Sequence, residues 1–257
     1  MELEILGLGV GAPLGNGCPS YAVRTDSTLI VLDFGPGAFE RAWERELLGR
    51  IDAVVISHMH MDHMLDLLPL SGEVAAEAIR SRMAEPKRPI VYVARGSGRQ
   101  VLATAGEAVG LHASDFDEAF DLREYDAADT LEIGDLRLTF AVTAHALPGC
   151  APRVTDGRST LFYSADTAFR EELAEHAREV DLALIESTYL DESEKLERQG
   201  HMTGEQAGRL AALAEVRRLV LIHTMPLPHE NEENLRRARA QFGGEVELAT
   251  RGAVYSF

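Results

Sequence analysis

Two cysteines in 257 residues, Cys18 and Cys150, are too few for a four-cysteine zinc site or a disulfide framework, and they suit a reducing compartment. Basic residues are also scarce. Against 42 Asp and Glu stand 25 Lys and Arg, a formal net charge of -17. Such a balance favours solubility, repels phosphate backbones and counts against a broad nucleic-acid-binding face. The opening segment MELEILGLGV lacks a basic stretch followed by a long apolar one, so no secretory leader is expected. No apolar run approaches a membrane span, and low-complexity linkers and repeats are lacking. The expectation is a cytoplasmic protein with no membrane association, folded as a single domain over residues 1–257. Its hydrophobic content of 46% is enough to bury a large core.

Short β-rich runs alternate with amphipathic helical stretches, the pattern of a layered α/β fold. Strands are expected at Leu3–Leu6, Tyr21–Arg24, Leu29–Asp33, Ala53–Ile56, Ile90–Val93, Thr160–Ser164, Leu182–Ile185, Leu219–Ile222, Val246–Leu248 and Val254–Tyr255, with several short ones in Phe120–Ala144. Helices are expected at Phe39–Leu48, Asp66–Met83, Gly98–Val109, Thr203–Leu213 and Glu232–Gln241. Thr203-Gly-Glu-Gln206 fits a capping box at the start of one of them. Gly11–Tyr21, Leu147–Ser159 and Met225–Asn231 read as loops that wall a pocket.

The segments carrying His58, Asp166, Glu186 and His223 each follow an apolar strand. Ligands in layered α/β folds gather where strand ends meet loops, so these four groups point to one site at one edge of the sheets. The sharpest signal is Ser57-His58-Met59-His60-Met61-Asp62-His63, in which three imidazoles and a carboxylate fall within six positions. Imidazole nitrogen and carboxylate oxygen suit zinc and other first-row metals. Residues two apart on an extended chain point the same way, so His58 and His60 can grip one metal, while Asp62 and His63 face a second after the turn. His145, Asp166 and His223 at later strand ends complete the set. His112 and His176 match no motif and read as surface residues; His229 reads as a pocket-rim residue.

This arrangement resembles the metallo-β-lactamase superfamily, whose H-x-H-x-D-H signature is followed at intervals by a histidine, an aspartate and a final histidine. The likeness covers essentially the whole chain, since Asp33-Phe-Gly-Pro-Gly37 also looks like the glycine turn after an early strand there. It implies an αββα sandwich of two mixed β-sheets flanked by helices, with two divalent metal ions at the sheet edge. His58, His60 and His145 would hold the first, Asp62, His63 and His223 the second, and Asp166 would bridge both. Zn2+ is the expected metal; the same ligands accept Mn2+ or Fe2+. Asp33 would stand behind the ligands, although turn chemistry accounts for it equally well. Two dications would leave an acidic protein with one pocket of about one net positive charge, suited to an anionic substrate.

Glu186-Ser-Thr188 and His201-Met-Thr203 look like the segments that carry a glutamate–histidine pair in the ribonuclease Z-like branch. By that resemblance Asp62, His201 and Glu186 are the catalytic residues, with His201 assisting the leaving oxygen while a metal-bridging hydroxide attacks phosphorus. The long arm that grips transfer RNA in ribonuclease Z has no room here, because only twenty residues separate His145 from Asp166. Asp66-Leu67 also replaces the Gly-Leu that often follows the histidine motif. The resemblance is therefore to short phosphodiesterases, and the expected substrate is a small anionic phosphodiester, with cyclic nucleotides as candidates. A ribonuclease Z-like RNA endonuclease, a thioester or lactone hydrolase and a non-catalytic scaffold are the alternatives. A homodimer is the assembly common in similar enzymes.

Overall fold

Periodicity sorts the buried residues to three layers. The computed structural model describes residues 1–11, 14–96, 98–191 and 199–257. One seven-stranded sheet contains β1 (Glu2–Gly7), β2 (Ser20–Arg24), β3 (Leu29–Leu32), β4 (Ala53–Val55), β5 (Ile90–Ala94), β6 (Asp121–Tyr125) and β14 (Val254–Ser256), in the order β14-β1-β2-β3-β4-β5-β6. The other contains β7 (Leu131–Ile133), β8 (Leu136–Val142), β9 (Cys150–Thr155), β10 (Thr160–Tyr163), β11 (Leu182–Glu186), β12 (Arg218–Ile222) and β13 (Glu245–Leu248), in the order β13-β12-β11-β10-β9-β8-β7. Both are mixed: β3 to β6 and β10 to β13 run parallel, and the remaining pairings are antiparallel.

Alternate residues of each central strand face opposite ways. Ile30, Leu32 and Val55 of the first sheet meet Leu161, Tyr163, Leu184 and Ile222 of the second in a core between the sheets. Val31, Val54 and Val91 face outward and pack under α1 (Ala38–Glu44), α2 (Met61–Met64), α3 (Leu67–Leu70), α5 (Gly98–Ala108) and α6 (Ala113–Ala119). Phe162, Ala183, Ile185 and Leu221 of the second sheet face α7 (Glu172–His176), α8 (Gly204–Leu213) and α9 (Pro228–Gln241). Central strands buried on both faces explain their near-continuous apolar runs. The architecture is the expected αββα sandwich. Thr203 caps α8 with its side chain on the Gln206 N–H, and the Gln206 side chain returns to the Thr203 N–H, the capping box read from the sequence.

Several expected elements differ. The Asp66–Met83 helix is divided into α3 and α4 (Glu73–Arg82), because Gly72 takes an extended conformation with ψ 148. The Phe39–Leu48 helix stops at Glu44, and Glu46 turns to φ 56. The short helices α6 and α7 carry too few turns to show a period. Leu147–Ser159 is not wholly a loop, since β9 runs through it. Pro152 hides that strand in the sequence, because a proline lacks the ladder N–H. It is accommodated because the ladder to β10 registers Arg153, Val154 and Thr155 only, so at Pro152 the strand pairs with β8 alone.

No helix among the described residues is long and apolar enough to cross a membrane.

Candidate metal centre and acid pair

The ends of β4, β8, β10, β11 and β12 meet at one edge of the sandwich, and each delivers a polar side chain there. His58 and His60 follow β4, Asp62 and His63 lie on α2, His145 follows β8, Asp166 follows β10, Glu186 ends β11 and His223 follows β12. Three backbone positions here depart from the usual preferences: Asp33, Ala165 and His223 sit at φ 59, 51 and 51, the left-handed region that non-glycine residues avoid. Such strain of about 1–3 kcal/mol per residue persists only where surrounding contacts hold it.

Two groups of side chains there are able to hold cations. Donor atoms of His58, His60, His145 and Asp166 lie within 4.8 Å of one another, as do those of Asp62, His63 and His223. Asp166 Oδ2 reaches both groups, at 3.7 Å from His58 Nε2, 4.0 Å from His145 Nε2, and 3.3 Å from both His63 Nε2 and His223 Nε2. Asp62 Oδ2 is 3.5 Å from His223 Nε2 and accepts from the Gly11 N–H at 2.8 Å.

Hydrogen bonding behind the rings fixes which nitrogens face inward. His63 Nδ1 donates to Asp33 Oδ2 at 2.7 Å, and His145 Nδ1 donates to the Gly200 carbonyl at 2.9 Å. Ser57 Oγ donates to Asp33 Oδ2 at 2.8 Å, which leaves it to accept from His58 Nδ1 at 3.1 Å. With those protons placed, His58 Nε2 and His145 Nε2 are lone pairs, and both point at His60 Nδ1, at 3.1 and 2.9 Å. One proton on His60 can bridge only one of these contacts, whereas a cation satisfies all three nitrogens. The spacings approach the edge of a tetrahedral ligand shell, about 3.3 Å for bonds of about 2.0–2.1 Å. His63 Nε2 and His223 Nε2 of the second group, and Oδ1 of Asp166 next to them, are buried with no hydrogen-bond partner among the described residues. Orphaned buried acceptors of this kind call for a charge between them. The donor set fits divalent metal ions.

The electrostatics agree. Burial pushes the His58, His60 and His145 imidazoles below their ordinary range, toward the neutral form that ligates metals. At His63 burial opposes a charge, but the Asp166 and Asp33 carboxylates outweigh it and raise its proton affinity, so this position demands positive charge. Burial likewise opposes ionisation of Asp62 and Asp166, and the neighbouring histidines reverse it, holding both below the usual carboxylate range.

Beside the second group, His201 Nδ1 lies 3.1 and 3.2 Å from the two oxygens of Glu186, which is fully buried. Burial opposes charging of His201, but Glu186 outweighs it and raises its pKa to about 9. Glu186 also accepts from the Thr167 and Met202 N–H groups and the Thr188 hydroxyl, which hold its carboxylate in place. A ring nitrogen of His201 comes within 4.8 Å of donor atoms on Asp166 and His223. All nine residues singled out in the sequence for this site therefore meet at one edge.

Four groups were not singled out: Ser57, Tyr163, Thr188 and the Gly200 carbonyl. Only Ser57 and Thr188, beside His58 and Glu186 in the chain, carried a local cue. Asp33 is a hydrogen-bond partner of His63, and of His58 through Ser57, and not merely a turn residue. Asp66 has a different task from the Gly-Leu it departs from, because its Oδ2 accepts from the Gly37 and Phe39 N–H groups at 2.9 and 2.8 Å and so caps α1. Gly35 is required by close approach: a Cβ there would meet the Asp62 carbonyl oxygen at 1.7 Å. Of the remaining histidines, His112 is exposed as expected and His229, read as a pocket-rim residue, is exposed, but His176 is half-buried, with Nε2 3.2 Å from the Thr139 carbonyl. In the expected wall loop Gly11–Tyr21, residues 12 and 13 lie outside the described residues.

Residues 28–224 match the family described as the Beta-lactamase superfamily domain. The chain is 28% identical over 266 residues to the probable metallo-hydrolase YhfI of Bacillus subtilis, covering 99% of each. The crystal structure of that protein superposes with a TM-score of 0.85 at 23% identity, over 99% of this chain and 98% of that one. It is 30% identical over 254 residues to Rv1339 of Mycobacterium tuberculosis, covering 96% of this chain and 88% of the relative. It is 25% identical over 300 residues to a ribonuclease Z of Kineococcus radiotolerans, covering 96% and 91%. The chain belongs to the metallo-β-lactamase superfamily, among relatives that include ribonuclease Z, and is a hydrolase whose histidine and aspartate clusters fit divalent metals.

Proposed function

We propose that the chain is a dinuclear metal-dependent phosphodiesterase acting on a small phosphodiester, with cyclic nucleotides the first candidates. His58, His60 and His145 would hold one metal, Asp62, His63 and His223 the other, with Asp166 between them. When bound, two divalent cations supply an activated water and take up negative charge at phosphorus. Zn2+ suits these ligands, and Mn2+ or Fe2+ are accepted by the same set.

The observation that carries the reading is the Glu186–His201 contact of 3.1 Å at the edge of the second group. Glu186 keeps the His201 imidazole charged and oriented, so it can donate a proton. As a water oxygen bonds to phosphorus and the ester oxygen departs, that oxygen takes the His201 proton. Hydrolysis of a thioester or lactone on the same metals would leave the pair without a clear purpose. Asp62, fixed by the Gly11 N–H, lies in the second group and would help hold the metal that supplies the water.

Likeness to a ribonuclease Z supports an RNA endonuclease as a second reading. The interval between His145 and Asp166 speaks against it: β9 and β10 fill it as an antiparallel hairpin, leaving no room for a long arm. The net charge of -17 speaks against it as well. Assay of the metal-loaded protein against bis-p-nitrophenyl phosphate, cyclic nucleotides, linear dinucleotides, a precursor transfer RNA, lactones and thioesters tests the proposal. Turnover of small phosphodiesters above the rest is expected. Turnover confined to lactones or thioesters, or to transfer RNA, would overturn it.

A further inference from the structure

Four of the metal-facing imidazoles, His58, His63, His145 and His223, have an acceptor behind them, and His223 differs in what that acceptor touches next. His63 leans on Asp33, His145 on the Gly200 carbonyl and His58 on Ser57. His223 Nδ1 lies 2.8 Å from Thr188 Oγ1, and the same hydroxyl lies 2.6 Å from Glu186 Oε2. Thr188 is buried, and its other hydroxyl neighbours are the His223 carbonyl at 3.2 Å and His201 Nδ1 at 3.5 Å. A hydroxyl has one hydrogen. The shorter contact with a charged acceptor takes it, so the oxygen must accept from His223 Nδ1.

We infer that Thr188 is a positioning residue that ties the metal-facing ring of His223 to the Glu186–His201 pair. One buried carboxylate then orients two histidines, His201 directly and His223 through the hydroxyl. Placing the proton on Nδ1 leaves His223 Nε2 as a lone pair toward Asp62 and Asp166, the form a metal requires. Two other features make His223 dependent on such a hold. Its backbone stands at φ 51, and its ring stacks on His201 with centroids 5.4 Å apart at 16°. The consequence is a link between metal affinity and proton delivery that neither residue set shows alone. The inference rests on His223 being a metal ligand, as proposed above.

Thr188→Val keeps the shape and removes the hydroxyl, so the His223 Nδ1 proton loses its acceptor and can move to Nε2. Thr188→Ser keeps the hydroxyl. Metal-free wild type, both variants and His223→Ala are titrated with Zn2+ alone in competition with a chromophoric chelator, and their melting is followed in parallel. The expected result is that Thr188→Val binds one of two equivalents about 10–100-fold more weakly, with the other unchanged, while Thr188→Ser stays near wild type. Wild-type affinity at both equivalents in Thr188→Val, equal weakness in Val and Ser variants, or equal weakening of both equivalents would overturn the inference. His223→Ala retaining two equivalents at wild-type affinity would overturn the ligand reading beneath it. Because no substrate enters the titration, a wrong substrate assignment leaves the result unaffected.

Discussion

The Tyr163 hydroxyl, at the end of β10 in one sheet, donates a 2.6 Å hydrogen bond to Asp33 Oδ2, just past β3 in the other. The same oxygen accepts from Ser57 Oγ and His63 Nδ1, while Asp33 Oδ1 accepts from the Ser57 N–H at 2.6 Å. One buried carboxylate thus fixes a ligand of each proposed metal and joins the sheets beneath them. Tyr163→Phe should lower stability by about 1.5–3 kcal/mol, the range for a hydrogen bond to a charged group. Asp33→Asn, which cannot accept all four bonds, should weaken metal binding about 10–100-fold. Denaturant unfolding and metal titration of the two variants check this; unchanged affinity in Asp33→Asn would remove Asp33 from the metal site.

Gly35→Ala should be damaging although it adds a single methyl group. The Asp62 carbonyl oxygen stands 1.7 Å from where that carbon would sit, so the turn after β3 and the start of α2 must separate. A loss of about 1–3 kcal/mol or more is expected, with reduced metal content in the purified protein. Unfolding curves and elemental analysis measure both.

The thiols should be inert. Burial, aided by Asp62, pushes Cys18 up to about 12, and burial, aided by Asp126, pushes Cys150 up to about 11. Thiolate is the reactive form and is nearly absent at pH 8. A colorimetric disulfide reagent should label neither cysteine quickly in the folded protein and both in denaturant. Rapid labelling of one thiol in the native state would contradict the burial.

Acid stability should depend on His176. Burial lowers its pKa, against a hydrogen bond to the Thr139 carbonyl that raises it. The unfolded chain therefore binds more protons, and stability falls as pH drops below the ordinary histidine value of about 6.5 toward the folded one. Replacing His176 with Gln should flatten that slope in metal-free protein. Parallel unfolding at pH 8 and pH 5 compares the two, and identical slopes would refute the assignment.

Local patterns made the cluster of histidines and carboxylates at the sheet edge legible. His58 to His63 form one short motif, His145, Asp166 and His223 each follow a strand, and Glu186 ends one. The supporting groups were legible only in part, because Tyr163 reaches Asp33 across 130 residues of chain and Gly200 meets His145 across 55. Sequence pattern carries no record of such through-space partners. The fold was readable wherever strands are buried on both faces. It was not readable at β9, where Pro152 imitates a loop, or at Asp66–Met83, where apolar spacing continues across the break at Gly72.

Two metals at this sheet edge, with His201 beside them, are proposed to hydrolyse a phosphodiester. The most direct measurement is the phosphodiesterase turnover and metal content of wild type and His201→Ala, each assayed after chelation and after reconstitution with Zn2+ or Mn2+. Two equivalents are expected in both proteins, with turnover lost on chelation and restored by metal, and about 10²–10⁴-fold lower in His201→Ala. Full turnover in the chelated protein, or unchanged turnover in His201→Ala with two metals bound, would contradict the proposal.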